Sequence, residues 1–260
     1  MRSGVLFLAF LLASTISAAT QFKFVTESTG DRLNPRSAGT VRVEGLSYRT
    51  DGDPESILSS ASFSTDGGKT VTVLNQKLST YYRVKVPAPR SLSSQLYDVP
   101  FMEMDKSKVS VKDVVLTEEP TDERIAGYET KKYVLTFAHD VRYTIQGEKL
   151  RVLFSSTVLL WTTEAIDLSV VPMDPREIRT GHDAVDLAVK EALSGVKGFP
   201  LQRRMSVTRR YEGGQVMVDV GSTTFDDFKT VDLPPAALAV PSGYRYEEPV
   251  MLFPGAQPRD

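Results

Sequence analysis

The chain predicts an α+β protein built on a large antiparallel β-sheet, with one to a few helices inserted late in the sequence. Three observations carry this. Short segments with apolar residues at every second position recur from residue 40 onward. Glycine-containing turns separate neighbouring segments, and one stretch, residues 183–193, breaks the alternation with helical spacing.

The first residues, MRSGVLFLAFLLASTISAA, place Arg2 ahead of an apolar run over residues 5–13 and small residues at Ser17, Ala18 and Ala19. This reads as a secretory signal over residues 1–19, leaving 20–260 as a single domain. The run is too short to cross a hydrocarbon layer about 30 Å thick, and no later segment is apolar enough, so no transmembrane segment is expected. The chain has no cysteine. That removes the lipid-bearing residue of a lipoprotein at the cleavage point, and it removes disulfides, so stability must come from burial. A hydrophobic fraction of 41% in a chain of 260 residues is enough to fill a core. The formal net charge of −2 offers no general attraction for nucleic acid or an anionic surface.

In TVRVEGLSYRT, Val41 and Val43 share a side; in KTVTVLN, Val71 and Val73 do; in YYRVKV, Tyr82 and Val84 oppose Tyr81 and Arg83. Asp66-Gly67-Gly68 predicts a hairpin turn between two pairing strands, because glycine reaches positive φ. KKYVLTF, VRYTI and KLRVLFSSTVLLWTT predict a three-strand meander, with turns at Ala138-His139-Asp140 and Gln146-Gly147-Glu148. The last strand carries Val152, Phe154, Val158 and Leu160 on one face and Leu153, Leu159 and Trp161 on the other, which predicts cover on both faces, with a helix over the second. Asp174-Pro175-Arg176-Glu177 has the composition of a helix start. DAVDLAVKEAL then lines up Val185, Ala188, Val189, Ala192 and Leu193 before a stop at Gly195, and Gly181 can split the region in two. Strands resume in RMSVTRRY, with Met205, Val207 and Tyr211 on one side, and in QVMVDV, with Val216, Val218 and Val220 on one side. In DLPPAALAVP the prolines exclude a central strand and predict a short plug, with Leu233, Leu238 and Val240 on the rim of the sheet and a reversal at Gly243. Two polar stretches, 49–60 and 87–107, read as long connections.

Nothing in the sequence assembles catalytic machinery. His139, at a predicted hairpin tip, and His182, near the helix start, are expected on the surface, and with no cysteine they make no metal-ligand pattern. No Gly-x-Ser-x-Gly elbow and no phosphate-binding glycine loop occurs, so no catalytic residue, metal or cofactor is expected. The acidic groups around Asp51 and Asp53 and across TEEPTDE read as solvated turns. The densest basic group is Arg203, Arg204, Arg209 and Arg210. Arg204 and Arg210 alternate against Met205 and Val207, which puts them on an outer face where an acidic envelope protein can dock. Tyr133, Leu135, Phe137, Phe154 and Trp161 fall on neighbouring strands and line either a greasy cavity or a filled core; the sequence leaves both open.

The order of landmarks resembles the periplasmic lipoprotein-carrier (LolA/LolB-like) superfamily, in particular its uncharacterised secreted branch. The likeness runs over residues 40–246 through Gly45 to Arg49, IAGYETKKYVLTF, the long strand with Trp161, the helix, GFPLQRRMSV and the closing VPSGY. It implies an incomplete β-barrel with helices plugging the concave side, a periplasmic location, and a cavity that in the carriers accepts the acyl chains of lipoproteins. Trp161 is the one residue whose matching strand position implies a place facing that cavity. The resulting expectation is a non-enzymatic soluble binding protein for a lipid or acyl chain. A structural or interaction module of the envelope with a filled core is the alternative, and a hydrolase, which needs a serine and a histidine meeting in a cleft, is a third.

Overall fold

Period-two burial sets the architecture. The computed structural model describes residues 18–29, 36–53, 60–85, 103–104, 109–145, 148–172 and 174–248. Almost all of the expected signal, the turn at 146–147, half of the polar stretch 49–60 and most of the stretch 87–107 lie outside them. Six strands run as a meander: β1 (Ala19–Ser28), β2 (Arg36–Glu44), β3 (Ser47–Gly52), β4 (Ser60–Ser64), β5 (Thr70–Asn75) and β6 (Thr80–Lys85). A second run holds β7 (Glu103–Met104), β8 (Ser110–Glu119), β11 (Lys131–Ile145), β12 (Glu148–Thr163), β13 (Phe199–Tyr211) and β14 (Val216–Val231), with a small separate hairpin of β9 (Arg124–Ile125) and β10 (Tyr128–Glu129). The two runs join where β1 pairs with β14, from Ala19 opposite Val231 to Ser28 opposite Gly221. The product is one open 13-stranded sheet. One end is β15 (Arg245–Tyr246) on β6, the only parallel pairing among the described strands; at the other end β7 and β8 share the outer edge of β11.

The helix α1 (Asp183–Leu193) lies on the concave face and buries Val185, Val189 and Leu193. That stripe, at spacing four, contributes roughly 2 kcal/mol per side chain. The chain before it does not form the predicted helix start. Asp174 instead caps a turn, accepting from the Arg176 amide at 2.8 Å and pairing with the Arg176 guanidinium, while its carbonyl accepts from the Glu177 amide at 2.9 Å. Gly181, at φ +81°, then redirects the backbone, and His182 becomes the N-cap. The Asp186 carboxylate reaches back to the Thr180 amide and hydroxyl at 2.6 and 2.7 Å, tying the first turn to the preceding segment.

The Gly67-Gly68 turn forms as expected, with φ of +74° and +85°, and β4 and β5 pair across it. In β5 the buried residues are Thr72 and Leu74 rather than Val71 and Val73, because Leu74 meets Ala61 and Phe63 under the C-terminal plug. That plug is a 3-10 turn, Pro235–Leu238, with Leu238, Val240 and Tyr244 packed on the same three residues. Arg49 Nη1 holds it by donating to the Ala237 carbonyl at 2.7 Å, and Gly243, at φ +87°, makes the reversal into β15. In β2, Gly39 lies under the ring of Phe24, so a side chain there would run into that ring and the Asp51 carbonyl.

Two predicted features of the meander change. No turn interrupts residues 138–140: β11 pairs with β12 without a break from Lys131 opposite Thr162 to Ile145 opposite Glu148. The polar residues that suggested a turn fill opposite faces of one strand. His139 points inward and is fully buried, whereas Asp140 faces outward and binds the guanidinium of Arg151. In β14 the predicted stripe also inverts, since Val216, Val218 and Val220 are 51%, 57% and 47% exposed while Asp219 between them is buried.

Candidate functional site

Register places the inward residues of five strands in rows across the concave face. From β11 to β1 one row reads Tyr133, Leu160, Arg203, Thr223, Thr26, and the next reads Leu135, Val158, Met205, Gly221, Ser28. A third holds Phe137, Ser156, Val207 and Asp219; a fourth holds His139, Phe154 and Arg209. Within these rows the face is amphipathic across the strands, apolar and aromatic on β11 and β12 and polar on β14 and β1, until the buried pair Phe24 and Phe225 restores an apolar surface one row beyond Thr26 and Thr223. The apolar half is the floor on which α1 sits. Tyr133, Leu135, Phe137 and Phe154 belong to a single buried cluster with Val185, Val189 and Leu193 of α1 and with Ile178 and Val196 on either side of it.

The polar half is built around two buried arginines. Arg203 is 7% exposed; its Nη1 donates to the Pro175 carbonyl at 3.0 Å and its Nη2 to the Thr223 hydroxyl at 3.5 Å. It thereby ties the segment leading into α1 to the sheet. The Thr26 and Thr223 hydroxyls lie 3.3 Å apart. Beside them a shallow depression opens, lined by Thr26, Glu27, Ser28, Arg203, Met205, Gly221 and Ser222. One row further, Arg209 makes a buried ion pair with Asp219. A buried guanidinium needs such acceptors.

The five residues expected to line a cavity separate into two groups. Tyr133, Leu135, Phe137 and Phe154 meet on the floor under α1, whereas Trp161 belongs to the opposite face. Residues 152, 154, 156, 158 and 160 of β12 point inward, and Trp161 has the other parity. It is covered there by cations, with Lys132 Nζ at 5.9 Å and the Arg204 guanidinium carbon at 5.3 Å from its ring centre. Its indole Nε1 is buried with no acceptor among the described residues. The second face of β12 is thus shielded by long side chains, and the helix covers the first face. Arg204 and Arg210 are exposed on that outer face as expected. Arg204 is engaged with Trp161, and Arg210 lies beside Leu153 and Val216.

Sequence reading missed Arg203, Arg209 and both histidines. The signal for the arginines was present, because 203 and 209 share the parity of Met205 and Val207. The histidines are buried, not exposed. His139 stacks on Phe154 with ring centres 4.7 Å apart and planes within 1°, and meets His182 edge-on at 5.3 Å. Burial, followed by the neighbouring His182, pushes the His139 pKa down to about 3. On the outer face, the Arg151 hydrogen bond holds the Asp140 carboxyl below its ordinary value. Among the described residues no cluster of three or more His, Cys, Asp or Glu gathers as a metal site, and no helix is long and apolar enough to cross a membrane.

No protein-family model matches the chain, and no curated protein matches it. Among solved structures, a LolA superfamily protein from Nitrosomonas europaea aligns at 11% identity and TM-score 0.31, covering 86% of this chain and 90% of that one. An uncharacterized conserved protein from Thermus thermophilus aligns at 12% identity and TM-score 0.35, covering 90% of this chain and 91% of that one. The fold itself stands on this chain's own strand order and burial: an open antiparallel sheet with one helix on its concave side.

Proposed function

We propose that the protein is a soluble periplasmic binding protein, without covalent chemistry, that holds the acyl chain of a lipid or lipoprotein on the concave face in the place taken here by α1. The observation that carries this reading is the amphipathic cross-strand row. An apolar chain on the floor of Leu135, Phe137 and Phe154 has its polar end directed toward Arg203, Thr26 and Ser28, where the depression opens. Burial of the chain supplies the affinity at about 25 cal/mol per Å² of apolar surface. The helix is suited to leave, because its hold on the floor is one stripe of three side chains and its flanks carry Gly181 and Gly198 at φ +81° and +83°.

Titration with a fluorescent long-chain fatty acid tests the reading, together with native mass spectrometry of protein taken from the periplasm. Saturable binding is expected at neutral pH. Val185→Ala with Val189→Ala is expected to strengthen it by about thirtyfold or more, since each truncation removes roughly 1–2 kcal/mol from the competing helix and 1.4 kcal/mol is tenfold in affinity. No binding by either protein, and no co-purifying lipid, overturns the reading.

A second reading is favoured by one observation, the exposed row of Val216, Val218 and Val220 next to Arg210. Apolar and cationic groups in contact on an outer face suit an acidic envelope protein, for which the filled core under α1 is a structural support. The same titration separates the two, because this reading requires no acyl chain to enter.

A further inference from the structure

The chain contains two histidines, 43 positions apart, and the fold brings their rings together inside the core. One is in the middle of β11; the other is the N-cap of α1. His139 is fully buried and His182 is 5% exposed. The His139 ring continues a stack, with Phe154 on the neighbouring strand at 4.7 Å and Phe137 at 6.3 Å. His182 closes that stack edge-on from the helix side at 5.3 Å. The contact is therefore the seam between sheet and helix, and it sits next to Gly181, where the backbone turns into α1.

We propose that the His139–His182 contact is an acid-sensitive latch, which holds the N-terminal end of α1 on the sheet at neutral pH and releases it when the imidazoles are protonated. A proton on either ring places a cation against the other imidazole among phenyl rings, and protons on both add direct repulsion. From β11 the adjacent charge is Asp140, on the opposite face and bound to Arg151. From β12 come Phe154 and Ser156, both uncharged. From β8, Val111 pairs with His139, next to Lys112 and Asp113. From β13, Arg209 sits behind Phe154 and is bound to Asp219. The helix contributes Asp183 and Asp186, the latter occupied by Thr180, and the segment before it carries Glu177 and Arg179.

The direction in pH follows from which state holds the proton better. The folded value of His139 lies below the ordinary 6.5, at about 3, so the released form binds the proton more tightly. Closure is fully favoured above 6.5 and is lost progressively as pH falls toward 3, by about tenfold per pH unit for one imidazole. The Asp140 carboxylate, held low by Arg151, titrates below its ordinary 3.8 and so stays charged through the upper part of this window.

The proposal rests on α1 being the movable element of the binding reading, but its test is independent of any ligand. Amide hydrogen exchange of residues 183–193, corrected for intrinsic rates, is compared at about pH 7 and about pH 5. Protection of α1 is expected to fall roughly tenfold or more at the lower pH, while the central amides of β12 and β13 keep theirs. Since the chain has two histidines, their two imidazole resonances can be followed on the intact protein, and one is expected to stay neutral well below the ordinary range. His139→Phe, which keeps the stack, and His182→Asn, a residue suited to the N-cap position, should each reduce the acid dependence; either suffices if the other does not fold. Unchanged α1 protection between the two pH values, or the same loss in the variants as in the natural protein, overturns the latch. Acid release of α1 in a protein that binds no fatty acid supports the latch and removes the carrier reading, whereas fatty-acid binding with acid-insensitive α1 does the reverse.

Discussion

Phe154→Ala is expected to lower folding stability by about 3–5 kcal/mol, read as a fall in the urea midpoint with an unchanged slope. Phe154 is fully buried and is the residue on which the sheet, the helix seam and the floor converge. Its ring stacks on His139, and its cross-strand neighbour is the buried Arg209. Truncation removes an aromatic side chain from a site whose walls are β-strands, which cannot close in as a loop can, so the cavity term is added to the lost transfer energy. A second consequence distinguishes this position from any other core phenylalanine. Burial is the leading cause of the depressed His139 pKa, so opening that space should raise it toward 6.5. A loss under about 1 kcal/mol would show that the floor is not a packed surface.

Asp219→Asn is expected to cost a comparable 3–5 kcal/mol, because it leaves the guanidinium of Arg209 buried without its carboxylate. Replacing both members by apolar residues, Arg209→Met with Asp219→Leu, should recover most of that loss. A double-mutant cycle in equilibrium denaturation measures it. If Asp219→Asn alone is silent, Arg209 is not held by this pair, and the polar half of the concave face has been misassigned. The pair also explains why β14 turns Val216, Val218 and Val220 outward: a strand has two faces, and Asp219 is needed on the inner one.

That inversion shows where sequence reading works and where it stops. Alternation placed Val41, Val43, Met205 and Val207 inside correctly, because each strand has a single set of apolar residues and the buried set is unambiguous. It failed in β14 and β5, where both parities contain groups that can be buried and the choice depends on a partner distant in sequence. Asp219 is chosen by Arg209, and Leu74 by the plug at 235–244. Local polarity also misplaced Ala138-His139-Asp140 as a turn, since its two polar side chains lie on opposite sides of one strand, His139 packed against Phe154 and His182 and Asp140 bound by Arg151. Trp161 reads as a cavity residue by position in a motif, yet its parity opposes that of Phe154 and Leu160 and sets it under Arg204. Tyr133, Leu135, Phe137 and Phe154 were legible as a group because they share parity on two adjacent strands. Arg203 was equally legible by parity, and was passed over because arginine is so seldom buried.

The claim that an acyl chain and α1 compete for the same floor is tested most directly by hydrogen exchange of residues 183–193 at neutral pH, with and without a saturating long-chain fatty acid. Displacement of the helix by the chain should speed exchange there at least about tenfold while the amides of β12 and β13 stay protected. Exchange of α1 that is unchanged or slower at saturation would contradict the claim.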